Sequence, residues 1–112
     1  MIETNINIEV HCARPNWVFL SVPIVKQFDI SYYRLYIDSD LLTERTWIWD
    51  NNTFIKEDIW INTEPNIEHI IKIEPIVKNP AQAQFELLNF KVVNKNYQLN
   101  RLDINQISFK IQ

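Results

Sequence analysis

Apolar and polar residues alternate along most of this chain, and this period of two limits the fold more than any other feature. In residues 6–12, INIEVHC, the even positions are apolar and the odd ones are polar. Successive side chains of a β-strand point to opposite faces, so such a segment predicts a strand with one buried face. Similar runs occupy 30–38, 44–50, 54–62, 67–77, 84–93 and 102–111, while 17–22, WVFLSV, is apolar on both faces.

Short polar clusters separate these runs and are typical of turns. They are DSD at 38–40, DNN at 50–52, TEPN at 63–66, VKNPAQ at 77–82 and NKN at 94–96. About eight strands at this spacing are typical of sandwiches and barrels. We therefore predict a single all-β domain over residues 1–112, an antiparallel β-sandwich. Segment 39–45, SDLLTER, is expected to be strand or loop rather than a helical turn.

The chain contains no glycine, although tight hairpin turns usually need it for positive φ. Asn and Asp tolerate positive φ better than other residues, so we expect them to take this role. Segment 49–54, WDNNTF, is accordingly predicted to be a hairpin with a loop longer than two residues. An AT-rich genome, which favours Ile and Asn codons over Gly and Ala, explains the composition equally well.

Several classes of function are excluded by what the sequence lacks. Phosphate-binding loops, the dinucleotide fingerprint and the nucleophile elbow all need glycine. The net charge is −3 and the basic residues are scattered, which argues against nucleic-acid binding. The sequence shows no secretory signal pattern and no apolar run of about 18 residues, so neither a signal peptide nor a membrane span is predicted.

No residue set resembles a catalytic site. His11 and Cys12 are adjacent in a predicted strand, so their side chains point to opposite faces and cannot pair. Cys12, the single cysteine, is expected in the core. His69 alternates with isoleucines and is expected to be a part-buried, hydrogen-bonded histidine. We therefore predict a protein that is not an enzyme and that has no cofactor.

Two aspartates are the candidates for a cation site. Asp38 and Asp40 lie in one turn, and carboxylate oxygens are calcium ligands. The DSD turn lacks the longer series of ligands found in calcium loops, so we expect solvated turn aspartates and no metal.

Exposed aromatic residues are the best candidates for binding. Trp60 shares its predicted face with Lys56 and Asp58, so it is expected to be exposed and to contact a protein partner or a glycan. Three further residues share one face of another strand and join it as binding candidates: Tyr32, Arg34 and Tyr36. Trp47 and Trp49 share a face and are expected to be buried.

A longer pattern runs through YRLYIDSDLLTERTWIWD, FIKEDIWIN and IEHIIKIEPI, and then through a strand at 85–92. Over roughly Tyr33–Val93 the chain resembles small β-sandwich virion proteins of tailed bacteriophages, found as head decorations or in head and tail fibres. The resemblance implies a jelly-roll-like sandwich, several copies per particle and other virion proteins as partners. It carries over no functional residue.

These observations together predict a structural or binding protein of the virion, assembled in the host cytoplasm. The first and last strands alternate up to the chain ends, so the C-terminal strand is expected to pair into a sheet of this chain or of a neighbour. Since an unprotected sheet edge invites pairing with another strand, docking on other virion proteins and homo-oligomers are expected. Surface glycans are an additional candidate partner. Two alternatives stay open: a carbohydrate-binding module that uses exposed aromatic residues, and a small inhibitor of a host enzyme.

Overall fold

The structure is a computed structural model, and it describes residues 2–13, 31–47, 53–76 and 84–112. These residues form eight β-strands and no helix. The strands are β1 (Ile2–Ala13), β2 (Ser31–Ile37), β3 (Asp40–Trp47), β4 (Thr53–Thr63), β5 (Glu68–Ile76), β6 (Gln84–Val92), β7 (Tyr97–Asp103) and β8 (Gln106–Ile111). The predicted all-β class is confirmed.

The strands form two antiparallel sheets that pack together as a β-sandwich, as predicted. A three-stranded sheet has the order β4-β1-β6, and a five-stranded sheet has the order β3-β2-β5-β8-β7. Every pair of neighbouring strands is antiparallel. The first and last strands of the sequence, β1 and β8, therefore lie inside sheets. The C-terminal strand is thus paired into a sheet of its own chain, one of the two expectations for it, and the edge strands among those described are β3, β4, β6 and β7.

The core consists of the inward-facing side chains of both sheets. On β1 the even positions from Ile6 to Val10 are fully buried, while the odd positions are at least partly exposed, as the alternation predicts. The aromatic members of the core are Tyr33, Phe85 and Phe109. The rings of Tyr33 and Phe85 meet edge to face with centroids 5.5 Å apart, which joins the two sheets through their largest side chains.

Asp and Asn replace glycine at the described turns. Asp38 and Ser39 both have positive φ, 50° and 73°, and they form a two-residue connection between Ile37 and Asp40, which are paired. Two consecutive positive φ values are the requirement of the turn that suits a twisted hairpin. Asn66 and Asn94 also have positive φ, so the predicted role of Asn and Asp is confirmed in three of the predicted turns.

Three strand predictions need correction. The first of them needs only to be made specific: residues 40–45, predicted as strand or loop, lie in strand β3, which confirms that they are not a helical turn. The run at 102–111 is a hairpin of two strands, β7 and β8, because Ile104 and Asn105 form a turn within it. The hairpin predicted at 49–54 is wrong: β3 pairs with β2 in one sheet, and β4 pairs with β1 in the other.

Some predictions fall outside the described residues. These are the strand at 17–22, the loops at 50–52 and 77–82, Trp49, and the side chains of Cys12 and Trp47. The prediction of a single domain likewise remains a prediction.

Candidate functional site

The outer face of the five-stranded sheet carries three of the predicted binding residues in one row. Tyr32, Arg34 and Tyr36 alternate on β2 with core residues and are each partly exposed. The guanidinium Nε of Arg34 donates to Glu44 at 3.1 Å, and Arg34 also lies 3.7 Å from Glu74. The structure thus brings these three residues together on one surface, as their alternation predicts.

The guanidinium group of Arg34 contacts an aromatic ring as well as acidic side chains. Its guanidinium carbon lies 5.8 Å from the centre of the Tyr32 ring, within the range of a cation–π contact. The hydrogen bond to Glu44 raises the pKa of Arg34, which favours the protonated, cationic form. Two acidic groups and one aromatic ring therefore hold an arginine in a fixed position on an exposed face.

A groove of about 400 Å³ continues this surface. Tyr36 forms one of its walls, and the remaining lining comes from the β2–β3 turn and from β5 and β8: Asp38, Ser39, Ile70, Lys72, Glu74 and Gln106. Groups of both charges line it, together with one apolar residue. Such a lining suits polar and charged groups of a partner better than a purely apolar ligand.

Trp60 lies on the opposite surface, the outer face of the three-stranded sheet. It is on β4 between the core residues Ile59 and Ile61, and 59% of it is exposed. The structure therefore separates Trp60 from Tyr32, Arg34 and Tyr36 by the thickness of the sandwich. A single site containing all four is not formed within one copy.

Phe54 is a second exposed aromatic residue on the face of Trp60. It is 47% exposed and stacks on the His11 ring, with centroids 4.9 Å apart. Phe54 and Trp60 are six positions apart on β4, a distance of about 20 Å in an extended strand. The sequence analysis did not include Phe54 among the binding candidates. Its signal was the alternation of β4, which places Phe54 on the same outward face as Trp60.

Polar side chains fill the surface between these two aromatic residues. The amide of Asn5 donates to Asp58, and Glu9 accepts hydrogen bonds from His11 and Asn89, each at 2.9 Å. The bonds from His11 and Asn89 lower the pKa of Glu9. The face is therefore a row of amides and carboxylates with an aromatic ring at each end.

A buried carboxylate connects the two sheets. Glu57 on β4 points inward and is only 4% exposed. It accepts a hydrogen bond from the Tyr33 hydroxyl at 2.7 Å and two from Arg45, at 2.9 and 3.2 Å. Burial and the bond to Glu57 raise the pKa of Tyr33, and the bonds to Glu57 raise that of Arg45. We name Tyr33, Arg45 and Glu57 the inter-sheet cluster.

A second polar array lies where β4 ends. His69 places Nδ1 2.5 Å from the Asp38 carboxylate and Nε2 2.5 Å from the Thr63 hydroxyl. A carboxylate only accepts, so the Nδ1–H group donates to Asp38, and Nε2 is hydrogen bonded to the Thr63 hydroxyl. The order of groups matches a hydroxyl–imidazole–carboxylate triad, but Thr63 is 4% exposed. The array clamps β4 to β5 and to the β2–β3 turn, and His69 is part-buried and hydrogen bonded, as predicted.

The two aspartates considered for a cation site, Asp38 and Asp40, have different surroundings. Both oxygens of Asp38 are engaged, one by His69 and the other by the Ile70 amide at 2.8 Å, whereas Asp40 is exposed at the start of β3. In the residues that the structure describes, no group of three or more His, Cys, Asp or Glu side chains is placed to hold a metal ion.

Comparison with known proteins gives no relative for this chain. Searches of protein-family models, of curated proteins and of solved structures each returned no match. Across the described ranges, no helix is long and apolar enough to cross a membrane.

Proposed function

We propose that this protein is a non-enzymatic binding protein with a structural role, docking on other proteins through the outer face of the five-stranded sheet. The observation that carries the proposal is the row of Tyr32, Arg34 and Tyr36 beside an open groove. Tyr and Arg are the residue types that most often dominate protein–protein interfaces. Here Glu44 and Glu74 hold the arginine in place, which reduces the entropy lost on binding.

The polar arrays of the described residues serve the fold in this proposal. The Thr63 hydroxyl is buried, so a substrate cannot reach it without a change in structure. The carboxylate of Glu57 is likewise enclosed and fully occupied by Tyr33 and Arg45. A role in binding needs neither group to be accessible.

The partner class we propose is other proteins of a virus particle. The resemblance of Tyr33–Val93 to phage virion proteins supports this, and the β-sandwich is the fold that the resemblance implies. Quantitative mass spectrometry of density-purified particles tests it by counting this chain against the major capsid protein. A simple ratio to the capsid protein is expected for a head decoration and a few copies for a fibre component, whereas absence from particles overturns the virion role.

The docking face has its own test. Arg34→Ala combined with Tyr36→Ala should abolish co-purification with the partner, because both side chains are removed from one surface. Trp60→Ala, on the opposite face, is the matched control and should leave co-purification intact. Equal loss in both variants would contradict docking through the five-stranded sheet.

The outer face of the three-stranded sheet favours a second candidate function, glycan binding. Phe54 and Trp60 present exposed rings on either side of the row of amides and carboxylates described above. Aromatic rings stack on sugar rings, and such polar groups bond sugar hydroxyls. Titration of the protein with glycans, followed by tryptophan fluorescence, tests this: Trp60→Ala should abolish binding while Tyr32→Ala retains it. No response to any glycan in a broad panel would sink this candidate.

A further inference from the structure

The edge of β4 that faces away from β1 carries residues that are complementary to those on the same edge of a second copy. Among the residues that the structure describes, β4 pairs only with β1, and the backbone groups of its other edge have no partner strand there. With eleven residues, β4 is longer than every other described strand except β1. Long open edges are templates for pairing with another strand.

The direction of the backbone groups on β4 follows from β1. The amide of Val93 donates to the carbonyl of Asn5 at 2.9 Å, so the backbone of Asn5 faces away from β4. The N–H and C=O groups of successive residues point to opposite edges of a strand. Those of Ile6 and Ile8 therefore point toward β4, where these residues oppose Ile59 and Glu57. The residues of β4 whose N–H and C=O groups point to the free edge are therefore the even-numbered ones: Phe54, Lys56, Asp58 and Trp60.

These four residues also carry the outward-facing side chains, and their order is complementary under a two-fold axis. Consider two copies of β4 that pair antiparallel, with Glu57 of one copy opposite Glu57 of the other. In this register Lys56 of each copy opposes Asp58 of the other. In the same register Phe54 opposes Trp60. All four pairs fall at hydrogen-bonded positions, so backbone and side chains select the same register.

Neighbouring registers fit less well. Pairing about Asp58 would bring the two Asp58 carboxylates together and would place Phe54 against Asn62. Pairing about Glu57 brings the two Glu57 residues opposite one another, but each carboxylate is already bound by Arg45 and Tyr33 of its own copy. Opposite charges and paired aromatic rings across strands stabilise a sheet, and like charges destabilise it.

We infer that this protein forms a two-fold symmetric homodimer through antiparallel pairing of β4 with β4 of a second copy, centred on Glu57. The two three-stranded sheets become one continuous six-stranded sheet. A closed two-fold interface uses the same patch on both copies, which satisfies the open edge of each. The inference does not depend on the partner proposed above, because Tyr32, Arg34 and Tyr36 lie on the other sheet.

A charge exchange tests both the dimer and its register. Sedimentation velocity of the full chain over a concentration series should show a dimer for the unmodified protein. Lys56→Asp creates two Asp–Asp oppositions and Asp58→Lys creates two Lys–Lys oppositions, so each variant should weaken self-association by about tenfold or more. The double variant K56D/D58K exchanges the charges within each pair and should dimerise again.

Mixing the two single variants sharpens the test. Lys56→Asp in one copy and Asp58→Lys in the other restore both opposite-charge pairs only in the mixed dimer, which should therefore form at equimolar ratio. Lys91→Asp makes the same change of charge on β6, an exposed position of the same face, and should leave dimerisation unchanged. Circular dichroism checks that each variant is folded.

Three results would overturn the inference. One is an unmodified protein that stays monomeric up to roughly millimolar concentration. Another is equal loss of dimer in Lys91→Asp and Lys56→Asp, which would indicate a general effect of charge. The third is failure of the mixed single variants and of the double variant to associate, which would exclude this register.

Discussion

Arg34 and Arg45 make the same kind of contact in opposite surroundings. In the pairing of β2 with β3, Arg34 opposes Glu44 and Arg45 opposes Tyr33. These are adjacent residue pairs, so the two arginines point to opposite faces of the sheet. Arg34 meets a carboxylate that is 49% exposed, whereas Arg45 meets one that is 4% exposed. The burial of the carboxylate, more than the length of the hydrogen bond, decides how much stability depends on each pair.

The reason lies in what replaces a lost partner. At the surface, water solvates a carboxylate as soon as its arginine is removed, so exposed pairs contribute little. Glu57 has been taken out of water, and losing a partner leaves a buried charge without compensation. The half-exposed guanidinium of Arg45 moderates this, because water still reaches one side of the pair.

The largest effect is expected from Glu57→Ala. It removes the carboxylate that accepts from the buried Tyr33 hydroxyl and from Arg45, and we expect a loss of about 3 kcal/mol in the free energy of unfolding. Urea denaturation followed by circular dichroism measures it. Glu44→Ala is the matched control on the neighbouring rung and should leave the midpoint unchanged. Similar losses in both would remove the distinction between the two pairs.

Tyr33→Phe isolates one bond of the inter-sheet cluster. The ring and its packing on Phe85 remain, while the hydroxyl that donates to Glu57 is lost. We expect a loss of about 1–2 kcal/mol, the usual cost of removing one partner of a charged, buried hydrogen bond. The same urea experiment applies, and an unchanged free energy of unfolding would show that this bond does not stabilise the fold.

At alkaline pH, the free energy of unfolding should depend on pH differently in the native protein and in the Tyr33→Phe variant. Burial and Glu57 raise the pKa of Tyr33 in the folded state, while the unfolded chain titrates near its ordinary value of about 10. The contribution of Tyr33 is therefore complete below about pH 10 and falls as the pH rises above it, by about 1.4 kcal/mol per pH unit. Unfolding of the native protein and of Tyr33→Phe between about pH 9 and pH 11 measures this. A constant difference would contradict a raised pKa.

The smallest effect is expected from Arg34→Gln. Its partners Glu44 and Glu74 are both exposed, and water replaces the guanidinium. The urea midpoint should not change measurably at moderate salt, whereas Arg45→Gln should lower it. If Arg34→Gln destabilises as strongly as Arg45→Gln, the outer row contributes to the fold as well as to binding.

Local features of the fold could be predicted because they depend on neighbours in sequence. Alternation identified the buried faces of β1 and β4, and it grouped Tyr32, Arg34 and Tyr36 correctly on one face. The positive φ of Asp38 and Asn66 follows from the absence of glycine in turns. None of these inferences needs to know which strand lies beside which.

Pairing between strands could not be predicted in the same way. The β3–β4 connection looks like a hairpin in sequence, but its two strands join different sheets. For the same reason the sequence could not show that Trp60 and Tyr32 lie on opposite surfaces. Glu57 did carry a signal, a charged residue between the inward-facing Ile55 and Ile59. Its partner Arg45 became evident only once β3 was placed over β4.

The position of β1 has a consequence for the order of folding. β1 is the middle strand of its sheet, yet its partners β4 and β6 begin at residues 53 and 84. During synthesis, β1 is complete at residue 13, whereas the first of these strands to pair with it is complete only at residue 63. The β2–β3 and β7–β8 hairpins close locally and can form early. Until β4 arrives, β1 has neither of its described neighbours to pair with, and its unpaired backbone groups expose the nascent chain to aggregation.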